Sequence, residues 1–306
     1  MKVTLYTIIA LIAFAANSLL CRMALAEGYI DPWNFTVIRL LGGAVCLVII
    51  MTVHQQRLQR QSALNENTNV SAVSKDAILK DAILKDKGSW LSSVSLVVYA
   101  LCFSLAYMEL ETGTGALILF AAVQFTMIGW GIYQKERLSK VQWAALLIAF
   151  AGFVYLMLPS AAVPSLFGAL IMALSGISWG VYSIRGKSCI SPLRATGFNF
   201  IRSLVAIPLL FLAGMHYLAE MSMEGILLAG VSGAITSGVG YSLWYVAMPL
   251  LKSTQAAVVQ FCVPVLAAIL GVVFLSEPIT LTFVIASTVI LSAVFVFILN
   301  KKAPVD

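Results

Sequence analysis

The sequence predicts an all-α integral membrane protein with ten transmembrane helices, arranged as two inverted five-helix repeats. Three observations lead there. Of the 306 residues, 61% are hydrophobic and only 10% charged, whereas a soluble domain is nearer half apolar and a quarter charged. A soluble interior of this size cannot hide so much apolar surface. The apolar residues also gather into ten stretches, each of about the 20 residues that cross a hydrocarbon core. Finally, the stretch Gly238–Glu277 has a counterpart in Ser104–Glu136. Lipid offers no partners to open strands, so the stretches are read as helices.

Span 1 is Thr4–Ala26. Ala24-Leu25-Ala26 before Glu27 has the look of a signal-peptidase site. The apolar run from Val3 to Cys21 is longer than the about 7–15 residues usual in a secretory signal, and Arg22 sits where cleavage would occur. Span 1 is therefore read as a retained helix. Span 2, Pro32–Val53, starts on a proline whose missing N–H is harmless there, and it carries Arg39. His54–Gly88 is the one long polar stretch. It includes the tandem repeat Lys75-Asp-Ala-Ile-Leu-Lys-Asp-Ala-Ile-Leu-Lys-Asp86. Its alternating Lys and Asp cancel charge, so it reads as a tolerated insertion rather than a lipid-contacting segment. Spans 3–5 follow as Trp90–Met108, Gly113–Tyr133 and Val141–Leu158. Spans 6–10 are Leu166–Ile184, Leu193–Tyr217, Gly225–Met248, Thr254–Leu275 and Leu281–Leu299.

Charge supports the count. With the N-terminus placed in the cytoplasm, every Lys and Arg of the 19 falls on the cytoplasmic side except Arg22, Arg39 and Arg202, which lie inside or at the edge of spans. The other side carries acids: Glu27, Asp31, Glu109, Glu111, Glu220, Glu224 and Glu277. This is the positive-inside pattern, and a missed or invented helix would scramble it. Both termini are expected in the cytoplasm of a multi-pass protein of the bacterial inner membrane.

The repeat divides the chain into residues 1-158, with the polar insertion 54-88, and residues 166-300. Tyr107 and Tyr245 open the paired stretches, small residues begin the second segment of each, and Glu136 and Glu277 close them. Asp31-Pro32 leading to Arg39 is matched by Ser191-Pro192 leading to Arg202. Five helices is an odd number, so the second half begins on the opposite side of the membrane. Such inverted repeats suit alternating access, in which two similar halves rock about a central site.

These residues resemble the drug/metabolite transporter superfamily, in particular its EamA-like ten-helix branch. The resemblance rests on Gly240-Tyr-Ser-Leu-Trp-Tyr-Val-Ala247, on Ala256-Ala-Val-Val-Gln-Phe-Cys-Val-Pro264, on Leu-Ser-Glu277-Pro, and on Arg39 in span 2. It covers almost the whole chain outside His54–Gly88. It implies a central cavity lined mainly by spans 1, 3, 4, 6, 8 and 9, and export or exchange of a small metabolite. Proteins of this kind usually have a proline in span 4, where this chain has Val123 or Gln124. Any proline-assisted bending is therefore expected in the second half only, at Pro264.

The candidate substrate-binding residues are the polar and aromatic groups within spans: Asn17, Tyr107, Gln124, Trp179, Tyr182, Tyr241, Trp244, Tyr245 and Gln260. Ligand cavities combine apolar and aromatic walls with a few placed polar groups. For Gln124 and Gln260 the competing reading is interhelical hydrogen bonding. For Trp244 and Tyr245 it is the interfacial aromatic belt. Arg39 and Arg202 are costly in a membrane and read either as structural or as attracting an anionic group. Glu136 and Glu277 read as helix-start residues for the segments that follow them.

No span has an Asp or Glu at its middle, which argues against proton coupling through a mid-membrane carboxylate. Cys21, Cys46, Cys102, Cys189 and Cys262 are scattered, so no metal site is expected, and no cofactor. HExxH, GxSxG and Walker motifs are absent, so an enzyme is not expected. The expected partners are a small-molecule substrate, an amino acid or similar compound, and membrane lipid. No nucleic acid is expected, and the protein is read as a monomer or homodimer. A lipid-carrier flippase is the alternative, and an intramembrane enzyme a more distant one.

Overall fold

The computed structural model describes residues 2–65, 86–110, 112–157, 165–275 and 281–300. All regular structure among them is helical. Glu111, Glu277 and Lys75–Lys85 lie outside the described residues. Six helical stretches are long and apolar enough to cross a membrane, and four shorter apolar ones complete the set among the described residues.

The first half comprises α1 (Lys2–Ala26), α2 (Pro32–Asn65), α3 (Trp90–Glu109), α4 (Thr112–Tyr133) and α5 (Lys140–Met157). Asp31 starts α2: its carboxylate accepts from the Trp33 and Asn34 backbone N–H groups at 2.9 and 3.1 Å. That satisfies donors a helix start otherwise leaves bare. Ser89 caps α3 by accepting from the Ser92 N–H. α2 runs on to Asn65, well past the expected end at Val53, so the first part of the polar insertion continues the helix.

The second half comprises α6 (Leu166–Gly186), α7 (Pro192–Ser203), α8 (Ile207–Gly214), α9 (Met223–Val231), α10 (Gly240–Ala247), α11 (Ser253–Val259), α12 (Cys262–Leu275) and α13 (Leu281–Leu299). Spans 7, 8 and 9 are therefore not the continuous helices the sequence predicted. Two breaks have the same cause. A proline has no N–H for the carbonyl four residues back. Pro208 leaves the Leu204 carbonyl to the Ile207 N–H, tightening Leu204–Ala206 into a 3-10 turn. Pro264 leaves the Gln260 carbonyl to the Val263 N–H at 3.0 Å, and the helix is interrupted at Gln260–Phe261.

Span 8 is interrupted differently. Ser232–Val239 forms a π-helical segment between α9 and α10, ending with the Gly240 N–H on the Ile235 carbonyl. Short π segments often mark functional positions. This one lies directly on α2. A Cβ on Gly233 would come 2.2 Å from the Arg39 carbonyl oxygen, so only glycine admits this approach.

The helices pack mainly across the two halves. α3 and α4 both lie against α6; α1 lies against α10 and α12. α2 contacts α7, α9 and the π segment, α3 contacts α7, α4 contacts α11, and α5 contacts α13. Large apolar side chains such as Phe125, Leu166, Leu209 and Val205 stay exposed, as expected of a surface facing lipid.

Candidate functional site

The polar and aromatic residues of the spans converge where α1, α2, α3, α6, the π segment and α10 meet. Arg39 is the centre of this cluster and is 1% exposed. Its Nε donates to Ser237 Oγ at 3.0 Å, from the π segment. Its Nη2 donates to the Tyr241 hydroxyl at 2.6 Å and the Tyr99 hydroxyl at 3.3 Å. The guanidinium also lies over the Tyr99 and Phe103 rings, 5.2 and 5.7 Å from their centroids. Nη1 has no hydrogen-bond partner.

From Tyr241 the aromatic rings run on without a gap. Trp179 lies 4.7 Å from Tyr241, 5.0 Å from both Tyr99 and Phe14, and 5.6 Å from Tyr182, centroid to centroid. Tyr182 and Tyr245 follow at 4.8 Å. Offset and edge-on pairs at these distances stabilise by about 0.5–1.5 kcal/mol each.

The structure divides the predicted residues by what their polar atoms do. Gln260 is an interhelical clamp: its Oε1 accepts from Trp179 Nε1 at 2.9 Å, and its Nε2 donates to the Ala256 carbonyl and faces Met127 Sδ. Trp244 donates to Ser183 Oγ, and the Tyr245 hydroxyl donates to the Tyr182 carbonyl. Both are buried, 0% and 1% exposed, so the interfacial-belt reading does not hold for them. Asn17 Oδ1 accepts from Ser232 and Thr236, tying α1 to the π segment. Tyr107 packs edge-on against Phe103 but is only half-buried. Pro264 is buried in α12.

Among the described residues, Nε2 and Oε1 of Gln124 are buried without a partner, whereas the Tyr182 hydroxyl, Thr196 Oγ1 and Asn199 Nδ2 face one another. A buried amide or hydroxyl without a hydrogen bond costs about 1–3 kcal/mol. Such groups are natural contacts for a polar solute.

Arg202 is not part of the cluster. Half-buried at the end of α7, it donates to the Lys87 carbonyl and lies over the Trp90 ring at 5.4 Å. Nearby, the Asp86 carboxylate accepts from the Ile190 and Ser191 N–H groups at 2.7 and 2.8 Å, at the start of α7. These contacts anchor the end of the polar insertion.

Glu136 also departs from expectation. Ser139 and Gln142 form a reciprocal capping box for α5 and leave no role there for Glu136. Its carboxylate instead accepts from the Ser253 and Thr254 N–H groups at 2.8 and 3.1 Å, at the start of α11, and from Thr254 Oγ1 at 2.9 Å. Lys187 Nζ lies 3.5 Å away. Burial pushes this carboxyl up, but the hydrogen bonds from Thr254 and Ser253 outweigh it and hold the group below its ordinary value. The clasp borders a cleft of about 290 Å³ that Arg137, Lys252 and Gln255 also line.

Sequence reasoning missed Tyr99, Ser237 and Phe14. Tyr99 carries the same signal as the tyrosines it did select, a hydroxyl-tipped ring inside an apolar span. Ser237 belongs to the Ser/Thr/Gly run 232–240, whose composition marks it off from the rest of span 8.

The EamA-like transporter family matches residues 166–299. Uncharacterized protein PA1977 of Pseudomonas aeruginosa is 40% identical over 277 residues, covering 90% of this chain and 88% of its own. Uncharacterized transporter YoaV of Bacillus subtilis is 19% identical over 87% of both chains. An uncharacterized transporter of Archaeoglobus fulgidus is 23% identical over 67% of this chain and 74% of its own. A crystal structure superposes with a TM-score of 0.72 over 98% of this chain and 99% of that one; at 17% identity this likeness concerns the fold alone. The chain is a multi-pass membrane transporter rather than an enzyme, and it belongs to the EamA-like transporter family of the drug/metabolite transporter superfamily.

Proposed function

We propose that the protein carries a small organic metabolite, an amino acid or similar compound, across the bacterial inner membrane by alternating access. The moving units are two inverted five-helix repeats, residues 1-158 and 166-300, with both termini in the cytoplasm. The packing pattern carries this reading. Exchange each span with the one five places away and the contacts map onto one another. α3 on α6 becomes span 8 on span 1, which is α10 on α1. α4 on α6 becomes span 9 on span 1, which is α12 on α1, and α2 on span 8 becomes α7 on α3. Spans 2 and 7, 4 and 9, and 5 and 10 pair with themselves under the exchange. Two halves that share one set of contacts suit two conformations of similar energy.

The substrate path runs along the cluster. Arg39 and Tyr241 stand at one end, Trp179 and Tyr182 in the middle, and Asn17, Gln124, Trp244, Tyr245, Gln260 and Tyr107 supply its walls or hold them. The break at Gln260–Phe261 is the point at which span 9 bends.

Two measurements test the proposal. Cells overproducing the protein are compared with empty-vector cells by metabolite profiling of the medium; no altered small metabolite would sink the transport reading. Single cysteines at Glu220 and Lys252 should react with a membrane-impermeant maleimide from opposite sides. Labelling of both from one side would overturn the ten-span topology.

A further inference from the structure

We propose that Arg39 is the charge-selecting residue of the transport path, and that its Nη1 receives an oxyanion, a carboxylate or a phosphate, of the transported compound. The inference rests on the transport reading above and adds the substrate's charge.

A guanidinium offers five N–H donors and no acceptor. At Arg39, Nε and Nη2 are engaged by Ser237, Tyr99 and Tyr241, all neutral acceptors. The two N–H groups of Nη1 have none. Among the described residues the titratable groups that act most strongly on the charge are Tyr241, Tyr99 and Cys21, and none of these is a carboxylic acid. Ring faces compensate a cation only in part. Among the described residues Arg39 thus meets no counter-ion, and a buried cation in that position is costly, because removal from water is repaid best by a partner of opposite charge. The chain has 13 Asp and Glu. Asp31, Asp86 and Glu136 are engaged at helix starts.

The rest of the cluster sharpens the contrast. The polar atoms of Trp179, Trp244 and Gln260 are all engaged within the protein: Trp179 by Gln260, Trp244 by Ser183, and the Gln260 amide nitrogen by the Ala256 carbonyl of its own span. Arg39 is held through two of its three nitrogens, as a recognition group should be, and the third is buried and unengaged. Guanidinium geometry matches carboxylate and phosphate oxygens better than it matches neutral acceptors. The same charge repels purely cationic compounds. A zwitterion is accommodated if its ammonium lies away from Arg39, toward the Trp179 and Tyr182 rings.

The test begins with the compounds that wild-type overproduction moves into the medium. Compounds bearing a carboxylate or a phosphate are expected, and mass identifies which. If only neutral or cationic compounds change, transport stands and this inference falls. If nothing changes, the transport reading fails and takes the inference with it. At matched membrane abundance, Arg39→Gln should lower export at least tenfold, and Arg39→Lys should retain part of it. Undiminished export by Arg39→Gln overturns the proposal. Should Arg39→Gln not reach the membrane, purified wild type decides alone. Converting the exported compound's carboxylate to the amide, or hydrolysing its phosphate ester, should weaken binding at least tenfold; equal affinities overturn the proposal.

Discussion

Arg39 and Arg202 both lie downstream of the proline that starts their helix, at Pro32 and Pro192, yet their surroundings are opposite. Arg39 is enclosed by Ser237, Tyr99 and Tyr241 and keeps an unengaged nitrogen. Arg202 reaches a backbone carbonyl at Lys87 and the edge of the protein beside Trp90. A similar sequence setting does not bring similar neighbours. Role follows the neighbours, because the cost of a charge depends on what replaces the water around it.

The sharpest test of this contrast is a pair of substitutions. Arg39→Met should reduce transport at least tenfold, whereas Arg202→Met should leave it within about twofold, since a half-buried cation at the protein's edge contributes at most about 1 kcal/mol. Equal effects would erase the distinction. Next in size is the backbone contact that encloses Arg39. Gly233→Ala drives a methyl against the Arg39 carbonyl and should cost about 1–3 kcal/mol, read as a lower unfolding temperature in detergent. Gly230→Ala, whose Cβ meets nothing within 4 Å, is the control and should be neutral or slightly stabilising.

A smaller effect is expected at the bend in span 9, which span 4 lacks. Pro264→Ala returns an N–H to the Gln260 carbonyl, so α11 and α12 can join. Transport should slow on the order of threefold with no loss of thermal stability. A faster transporter would show that the break is not used in the cycle.

The smallest effect concerns the Glu136 clasp. Glu136→Gln removes a charged helix-start partner and should cost about 1 kcal/mol. Because the folded carboxyl is held below its ordinary value of 4.5, its contribution is present above that pH and lost as pH falls through the folded value. Wild type should therefore lose stability on acidification below about 4.5, and Glu136→Gln should lose less. Parallel pH profiles would separate the clasp from stability.

Much of the molecule was legible in the sequence because a bilayer imposes simple rules. Ten apolar stretches, a proline at the start of spans 2 and 7, and Arg39 as an expensive residue follow from length, composition and the absence of water. The bend before Pro264 follows from a missing N–H. Burial of Trp244 and Tyr245 did not follow, since an aromatic near a span's end serves a belt or a core equally well. Nor did the division of Gln124 from Gln260. Both are amides in paired spans, yet one is fully engaged and the other has no partner at either atom.

What the sequence by itself determined is the helical class, the ten stretches, the family and the cost of burying Arg39. These depend on local chemistry or on sums over the chain. Only the tertiary structure decided that Tyr99, Ser237 and Tyr241 surround Arg39, that Glu136 caps a helix in the other half, and that Arg202 lies outside the core. Those facts join residues 60 to 202 positions apart. Such pairings are fixed by helix packing, which no local pattern encodes.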